Sequence, residues 1–529
     1  MSSNTPSLDN ILCDLGQLGK YQCFTVTLFS IAVIIHSAIH TAFVFTARDV
    51  HYRCEIPGCE STPSNNWLQN AIPFVNDQPA KCTRFLYLNS TDCNYLDFNR
   101  SVLERCDKYV YATTETTILH DFNLHCDENL WKLTLIGTIN SFGQFVGLPI
   151  AGFFSDKYGR LTTLIVAIVS SGIFGIIRSF SSSYVFFCIF EFLDSAFGAG
   201  AYTCGYILGV ELVGPGRRVL MGTLISCSYA LGEVLLGALA WWISQWRPFL
   251  QVLCSSSFIL LFYFWAAPES VRWLVVQKKF DKAKKILRKV AKINGASITN
   301  ERLTQLCMPN ESSKSETYPI TNLCKSWRLC IRFLNCCFCW ISCVFIFYGL
   351  TINSVALSTN PYLDFILTSL AEIPGYVAVY LLVDKLGRRI CASTTFIITS
   401  MACVAFIFVP SDLHWVRLTM FLIGKCAGTA AFAICYIITS EMFPTPLRHS
   451  LMASCSMFGR IGSMIAPQMP LLEKIWNPLP LTLFAVIATA SGVLSLFFPE
   501  TANTKLPDTI QEAEDIGKIT HENKYIFPS

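Results

Sequence analysis

Long runs of apolar residues, separated by polar segments, dominate the chain from residue 24 onward. Twelve of these runs cover about 20 residues each, the length of helix that crosses the hydrocarbon core of a bilayer. We expect helices, because lipid offers no partner for unpaired backbone amides and a closed barrel would need short alternating strands. The predicted spans are residues 24–46, 130–153, 161–178, 184–209, 220–243, 248–267, 333–355, 361–383, 390–409, 414–439, 449–469 and 479–498.

The polar segment of residues 268–332 divides these spans into two groups of six. The pattern predicts an N-terminal tail (1–23), a first helix (24–46), a long loop (47–129), the rest of an N-terminal half (130–267), a linker (268–332), a C-terminal half (333–499) and a C-terminal tail (500–529).

Two of the polar segments contain helical patterns of their own. In the linker, apolar residues recur on one face from Ala283 to Ile293 among lysines, which predicts an amphipathic helix. This helix would lie either on the inner leaflet, whose anionic lipids attract lysine, or under the helix bundle. Residues 508–516 predict a short acidic helix suited to pair with it.

Basic residues are concentrated in the loops that follow even-numbered spans. The segment from Glu269 to Arg332, which follows the sixth span, holds fourteen Lys and Arg against five Asp and Glu. The positive-inside rule therefore places both termini and all even-numbered loops in the cytoplasm. We expect a multi-pass protein of the plasma membrane.

The loop of residues 47–129 follows the first span and should therefore face the outside. It contains two glycosylation sequons, at Asn89 and Asn99. An even number of cysteines in an oxidising compartment predicts three disulfides, although six cysteines allow fifteen pairings. The six cysteines are Cys54, Cys59, Cys82, Cys93, Cys106 and Cys126.

Composition and charge restrict the classes of function. Hydrophobic residues make up 52% of the chain and charged residues only 14%, against about 25% in average soluble proteins. A net charge of +4 does not indicate nucleic acid as a partner. The chain lacks the nucleotide-binding, zinc-protease and serine-hydrolase motifs. We predict no enzyme activity, no catalytic residue, no cofactor and no metal.

Three charged motifs recur in the same order in both halves, 228 to 231 residues apart. Such a repeat predicts two six-helix halves in parallel, related by an axis along the membrane normal. The motif charges are Asp156, Arg160, Glu211, Arg218, Glu269 and Arg272 in the first half, and Asp384, Arg388, Glu441, Arg448 and Glu500 in the second.

These motif charges lie where the predicted spans meet the cytoplasm. An aspartate there can accept hydrogen bonds from a helix N-terminus or pair with an arginine of a neighbouring motif. Pairs that form when the cytoplasmic side is closed, and break when it opens, would serve as gates for alternating access. The simpler interpretation is that the basic residues only obey the positive-inside rule.

These motifs, taken from end to end, resemble the organic cation/organic anion/carnitine transporter family of solute carriers, in the major facilitator superfamily. The resemblance rests on the cysteine-rich loop, Gly152–Arg160, Glu211–Gly214, Pro268–Leu274, Ser440–Arg448, Phe498–Thr501 and Leu506–Glu514. It implies an all-α membrane protein with twelve transmembrane helices in two parallel-repeat halves and a large disulfide-bonded extracellular loop. Sugar porters share some motifs but lack this loop.

The resemblance implies a secondary active or facilitative transporter of small organic ions that works by alternating access. The transporter would be polyspecific, and its substrates would be organic cations or carnitine-like zwitterions. The resemblance leaves open whether transport is coupled to Na⁺, to H⁺ or to an exchanged solute. It also leaves open whether the chain forms a homo-oligomer. The alternatives are an organic anion exchanger, a sugar porter and a ligand sensor that does not transport.

A charged residue inside a span is costly and is a site candidate by default. Arg460 lies within the eleventh predicted span. The resemblance sharpens this, because cation-preferring members carry an Asp at this point and anion and carnitine members an Arg. The alternative is that Arg460 pairs with an internal acid, Glu233 or Glu372, and never meets the substrate.

Glu372 stands two residues before a proline, and this acid-x-Pro pattern resembles the cation and carnitine types of the family. Anion transporters tend to carry a Lys where this chain has Tyr376. One acid and one base in the cavity would suit a zwitterion, such as a betaine.

Aromatic residues in the spans are candidates for the cavity wall, because aromatic faces hold quaternary ammonium groups and flat apolar bodies. Lipid-facing or core packing is the alternative for each. The candidates are Tyr202, Tyr206, Tyr229, Phe347, Tyr348 and Tyr376. His36 and His40 stand one turn apart and would be either proton-sensitive cavity groups or helix–helix hydrogen-bonding residues.

Overall fold

The structure, a computed structural model, consists mainly of long helices. It describes residues 8–56, 59–60, 67–75, 78–88, 93–296, 299, 303, 326–357, 360–410, 412–502, 504, 507 and 510–516.

Ten helices in this part of the chain are long and apolar enough to cross a membrane. They are α1 (Lys20–Thr46), α2 (Asp127–Tyr158), α3 (Arg160–Ser179), α4 (Tyr184–Glu211), α5 (Pro215–Trp242), α6 (Trp246–Ala266), α7 (Trp327–Ala356), α8 (Pro361–Leu386), α9 (Arg388–Phe408) and α10 (His414–Met442). Helix α11 (Thr445–Ile465) is of similar length but more polar, and α12 (Leu479–Ser495) is apolar but shorter. The twelve helices overlap the predicted spans one by one, which confirms the predicted fold class.

The two halves repeat one packing arrangement. Helix α1 packs on α5, α2 on α4, and α3 on both α4 and α6. The second half has the same pairs, with α7 on α11, α8 on α10, and α9 on both α10 and α12. Each half encloses its own apolar core. The halves meet along two seams, α2 against α11 and α5 against α8.

Small residues allow the helices to approach closely within each half. A Cβ atom on Gly147 of α2 would collide with the backbone of Ala196 in α4. In the same way, a Cβ atom on Gly462 of α11 would collide with the carbonyl oxygen of Ile341 in α7. Glycine at such crossings is typical of membrane helices, where van der Waals packing replaces the hydrophobic drive of water.

The described residues between 47 and 126 form a small unit that we name the disulfide domain. Its strands pair antiparallel as β1 (Tyr52–Cys54) with β6 (Tyr109–Tyr111), β2 (Phe74–Val75) with β3 (Gln78–Pro79), and β4 (Thr83–Tyr87) with β5 (Phe98–Arg105). Short helices cover Leu68–Ala71 and Ile118–Asp121.

Three disulfides hold the disulfide domain together. They join Cys54 to Cys106, Cys59 to Cys93 and Cys82 to Cys126, one of the fifteen pairings that the sequence left open. The predicted sequon at Asn99 lies on strand β5 and is partly exposed, whereas Asn89 lies outside the described residues.

The disulfide domain is fixed to the N-terminal half. The backbone N–H of Thr116 donates to the carbonyl oxygen of Ser244, and Thr116 forms a strand-like bridge with Gln245. Asp121 accepts from the indole of Trp246 at 3.2 Å and from Arg247 at 2.8 Å. We call this end of the bundle the disulfide end and the opposite end the terminal end.

At the terminal end, the linker helix Phe280–Asn294 packs under the N-terminal half. Its apolar face, with Ala283, Leu287 and Val290, joins a cluster with Ile11 and Leu12 of the N-terminal helix Leu8–Asp14. Of the two predicted locations, the structure therefore shows the one under the bundle.

The C-terminal helix Ile510–Asp515 belongs to the other half. Ala513 is buried in the C-terminal core, and its carbonyl oxygen accepts from Arg332 of α7 at 2.6 Å. The apolar contacts thus place this acidic helix against the C-terminal core and the linker helix under the N-terminal half, and their predicted pairing stays a prediction.

Candidate functional site

A cavity of about 750 Å³, counting its open mouth, lies between the two halves. Eight of the twelve helices contribute residues to its wall. The lining residues are His36, His40, Gln144, Leu148, Ala199, Tyr202, Thr203, Tyr229, Trp340, Val344, Phe347, Tyr348, Tyr376, Phe432, Tyr436, Ser456 and Arg460.

The cavity is closed toward the disulfide end by the seam between α2 and α11. Thr138 donates to the carbonyl oxygen of Met464 and Ser141 to that of Ser463, both at 2.9 Å. Further hydrogen bonds of this seam join Thr134 to Gln468 at 3.0 Å and Gln468 to Thr138 at 2.7 Å, both on the disulfide side of Arg460.

The second seam closes the same end with apolar and aromatic contacts. Gly237 of α5 packs against Phe365 and Ile366 of α8 so closely that a Cβ atom would displace them. The ring of Tyr362, at the start of α8, stacks on Phe45 at 5.4 Å and on Trp241 at 6.3 Å. The structure therefore represents the conformation in which the disulfide end is shut.

Arg460 extends from α11 into the cavity wall. Its Nη1 donates to Oε1 of Gln144 at 2.7 Å, across the seam between the halves. No carboxylate pairs with this guanidinium in the part of the chain that the structure describes. The alternative that Arg460 pairs with Glu233 or Glu372 is therefore not what the structure shows. A guanidinium has five N–H donors, so most of them remain for a ligand.

The two histidines continue this polar wall into α1. The side-chain amide of Gln144 lies 2.9 Å from Nδ1 of His40, which links α11, α2 and α1 in one row. The rings of His36 and His40 stack at 5.9 Å, and His40 meets Tyr348 edge-on at 6.2 Å. Both histidines line the cavity, and His40 also connects α1 to α2 through Gln144. Their predicted sensitivity to protons stays a prediction.

Aromatic rings form the rest of the wall. On the N-terminal side, Tyr202 and Tyr229 meet edge-on at 5.5 Å. On the C-terminal side, Phe347 contacts Tyr348 at 5.3 Å and Phe432 at 5.5 Å. Five of the six predicted aromatic residues line the cavity, and the exception is Tyr206, which packs against Gly222 instead.

Glu372 does not face the cavity. Its Oε1 lies 2.8 Å from Nζ of Lys425 on α10, and both side chains are completely buried. Lys425 also donates to Oγ1 of Thr351 at 2.6 Å and to the carbonyl oxygen of Phe347 at 3.1 Å. The predicted placement of Glu372 as a cavity acid is thus wrong, because Lys425, unrecognised in the sequence, holds it in the protein interior.

A second buried charge cluster lies inside the N-terminal half. Arg178 of α3 pairs with Glu191 and Asp194 of α4, and Asn140 of α2 donates to Glu191 at 2.7 Å. All four side chains are buried. They are not among the predicted site residues, although the rule that selected Arg460, a charge within an apolar span, applies to them equally.

The motif charges of the N-terminal half form a local network at the terminal end. Arg160 pairs with Asp156 at 2.8 Å, and the backbone N–H groups of Arg160 and Leu161 donate to Glu269 at 3.0 and 3.1 Å. Glu269 thus caps the N-terminus of α3, whose partial positive charge favours a carboxylate. Burial raises the pKa of the Glu269 carboxyl, although these N–H groups act in the opposite direction.

Gly159 makes this cap sterically feasible. Its φ of +111° is a conformation that side chains disfavour, and a Cβ atom there would collide with the Glu269 carboxylate. The hydroxyl of Ser270 donates to Glu211, which ties the end of α4 to the same point.

The C-terminal half repeats this network, with one additional ion pair to Glu441. Arg388 pairs with Asp384 at 2.8 Å and also with Glu441 at 3.1 Å. Glu500 accepts from the backbone N–H of Arg388 at 2.8 Å, and Thr501 donates to Glu441 at 2.6 Å.

The remaining predicted motif charges have other partners. Arg218 and Arg272 both pair with Asp9 of the N-terminal helix. Arg448 donates to the carbonyl oxygen of Phe443 at 3.2 Å. The ion pairs named here each lie within one half, so they stiffen that half in this conformation.

Comparison with known proteins agrees with this architecture. The model of the major facilitator superfamily matches residues 101–467. The chain is 30% identical to solute carrier family 22 member 3 of Mus musculus, over 97% of this chain and 96% of that protein. It is 28% identical to the organic cation transporter protein of Drosophila melanogaster, over 96% of this chain and 95% of that protein.

Among solved structures, the chain is similar to the xylose transporter XylE from E. coli. The TM-score is 0.61 with the partially occluded inward open conformation, at 15% identity, over 92% of this chain and 100% of that one. The TM-score with the inward open conformation of the same transporter is 0.60, at 14% identity, over 91% of this chain and 98% of that one. At this identity the likeness shows the fold alone.

The fold, the sealed seams and the central cavity are those of a transmembrane transporter that works by alternating access, and not of an enzyme. Together with the relatives, they establish that the chain belongs to the organic cation/organic anion/carnitine transporter family of solute carriers, within the major facilitator superfamily.

Proposed function

We propose that the transported solutes are small organic ions that carry a carboxylate or a similar anionic group, which binds to Arg460. The observation that carries this proposal is the guanidinium of Arg460, which reaches the cavity wall and donates to the neutral amide of Gln144. A charge in such a place is costly unless it meets a counter-charge. A substrate carboxylate would supply one, since it fits the planar fork of a guanidinium with two parallel hydrogen bonds.

The aromatic wall supports a zwitterion of the carnitine type as the first candidate. Tyr202, Tyr229, Tyr348 and Tyr376 line the cavity that Arg460 enters, and aromatic faces attract quaternary ammonium groups. In such a pose the carboxylate lies on Arg460 and the ammonium lies between the rings. The Drosophila relative is an organic cation transporter by name, which is consistent with an aromatic site for cations.

An organic anion is the second candidate, and one observation favours it. The cavity lining contains Arg460, His36 and His40 but no aspartate or glutamate among the described residues. Because Lys425 neutralises Glu372, the acid that would have suited the ammonium of a zwitterion is withdrawn from the site. The rings would then hold a flat apolar body.

Uptake of three labelled solutes tests the proposal: carnitine, an aromatic carboxylate and a simple quaternary ammonium. We expect cells with the wild-type chain to take up at least one of the two carboxylates. Arg460→Gln should abolish that uptake, whereas Arg460→Lys should retain part of it at a higher KM. The matched control is Arg417→Gln, an arginine on α10 that lies over Phe406 and not in the cavity.

Surface biotinylation would confirm equal amounts of each variant at the membrane. Uptake of the quaternary ammonium alone, undiminished in Arg460→Gln, would refute the role of Arg460. Saturable uptake of a neutral hexose in place of all three would favour the sugar-porter alternative.

The disulfide end faces the outside of the plasma membrane in our proposal, and both termini are cytoplasmic. Three disulfides and the partly exposed sequon at Asn99 support this orientation, because disulfides persist in oxidising compartments. In that orientation the structure is closed to the outside. The test is loss of a glycan in Asn99→Gln, together with epitope tags at both termini that antibodies reach only after permeabilisation.

A further inference from the structure

The seam between α5 and α8 contains an acid that the transport site does not use. Glu233 of α5 is completely buried, and among the described residues neither of its carboxylate oxygens has a hydrogen-bond partner in good geometry. Ser369 of α8 is near, but its hydroxyl donates to the carbonyl oxygen of Phe365 at 2.9 Å. Its charged neighbours are Glu372 and Lys425, which belong to the other half of the protein. An ionised carboxylate in such a place is strongly unfavourable, because nothing replaces its lost hydration.

The charges around Glu233 do not balance. Glu372 and Lys425 already form an ion pair at 2.8 Å, and the Lys425 ammonium is further occupied by Thr351 and Phe347. Two carboxylates and one ammonium leave an excess of one negative charge. The titratable side chains that also face this point are Tyr229 of α5 and Tyr376 of α8. The part of α1 packed here presents Ile34 and Ser37, which do not titrate.

We propose that Glu233 is a proton-binding site whose occupation is required to close the disulfide end. The added proton converts the carboxylate to a neutral carboxyl, removes the excess charge and lets α5 pack against α8. A proton fits better than a metal ion, because the neighbouring ammonium would repel a second compact cation.

The position of Glu233 couples this proton to the transport cycle. One turn beyond it, Gly237 packs against Phe365 and Ile366 in the closed seam, and one turn before it, Tyr229 lines the cavity. When the halves separate at the disulfide end, Glu233 leaves Glu372 and Lys425 and meets water, where it can ionise. By linkage, a ligand that binds one conformation better shifts the population toward it. Acid on the outer side therefore favours closure.

The inference rests on transport by alternating access and on the proposed orientation, but not on the choice of substrate. Infrared spectroscopy of the purified full-length protein tests it directly. We expect the absorption of a protonated carboxyl group at neutral pH in the wild type and its loss in Glu233→Gln. The control, Glu128→Gln, removes an exposed glutamate of the pair with Arg105 and should leave the band unchanged.

Loss of that band in Glu372→Gln, with retention in Glu233→Gln, would overturn the assignment. So would a band in the wild type that appears only when Na⁺ is withdrawn, since Na⁺ would then be the ligand.

A second measurement reads the conformation without any transported solute. Spin labels on non-natural residues at Val102 of the disulfide domain and at Ile475, both exposed, report the separation of the halves. In the wild type, acidification should shift the distance distribution toward the short, closed form. Glu233→Gln should stay closed at every pH. An unchanged pH response in this variant would refute the proposal, whereas failure of solute uptake would bear only on the proposed substrates.

Discussion

The ammonium of Lys425 and the carboxylate of Glu372 form an ion pair at 2.8 Å in which neither side chain has any exposed surface. The pair joins α8 to α10 behind the wall of the cavity, and Lys425 also lies 3.6 Å from the centre of the Phe347 ring, which lines that cavity. A cavity residue is thus held from behind by a buried charge.

Breaking this pair should destabilise the protein more than any exposed ion pair does. We expect Lys425→Met to lower the free energy of unfolding by about 3–5 kcal/mol, because it leaves a buried carboxylate without its counter-charge. The double variant Lys425→Met/Glu372→Gln should recover most of that loss. Thermal unfolding in detergent measures both. Lys474→Met, which removes a half-exposed partner of Asp127, is the control and should cost about 0–1 kcal/mol.

The glycine caps of α3 and α9 should not tolerate a side chain. Gly159→Ala and Gly387→Ala place a Cβ atom at φ values of +111° and +88°, against the carboxylates of Glu269 and Glu500. Backbone strain of this kind costs about 1–3 kcal/mol before the collision is counted. The control is Gly152→Ala, where the added atom meets nothing within 4 Å. Equal melting temperatures for all three variants would contradict the capping role.

The disulfide domain should be less stable in acid. Burial lowers the pKa of His125 to about 4, with a smaller effect from His120, whose own pKa burial also lowers. The folded domain thus binds fewer protons than the unfolded chain between the ordinary histidine pKa of about 6.5 and pH 4. The contribution of these histidines to the stability of the domain is fully present above about pH 6.5 and falls as the pH drops through this window.

Hydrogen exchange in β1 and β6, at neutral pH and near pH 5, measures this loss. His125→Phe should flatten the dependence because it keeps a ring against Tyr109, which stacks on His125 at 4.1 Å. His51→Gln, at an exposed position, is the matched control. A variant that keeps the wild-type dependence would show that another group is responsible.

Each disulfide should stabilise the disulfide domain according to the length of the loop that it closes. The bond between Cys59 and Cys93 spans 34 residues, for which chain entropy predicts a stabilisation of about 3–4 kcal/mol. We expect Cys59→Ser to cause retention inside the cell, and Cys59→Ser/Cys93→Ser to be retained less, because it leaves no unpaired thiol. Mass mapping of unreduced peptides checks the pairing itself. A link between Cys59 and any other cysteine would refute it.

The sequence was sufficient to predict the twelve helices and the repeat, because span length and motif spacing are local properties that lipid enforces. It also identified eight of the seventeen residues that line the cavity, including Arg460 and Tyr229. It did not reveal that Glu372 is withdrawn by Lys425, since which face of α10 meets α8 depends on tertiary packing. The Asp9 contacts of Arg218 and Arg272 were equally hidden, because nothing in a polar tail shows where it folds back.

The carboxylates of Glu269 and Glu500 each return from the end of the sixth helix of a half to the start of its third helix. Each half is thereby fastened to itself and does not rely on the linker for its integrity. Two separate polypeptides, divided within the linker, should therefore fold independently and assemble in one membrane into a working transporter. Covalent continuity of the chain would then serve mainly to deliver the two halves in equal numbers to the same place.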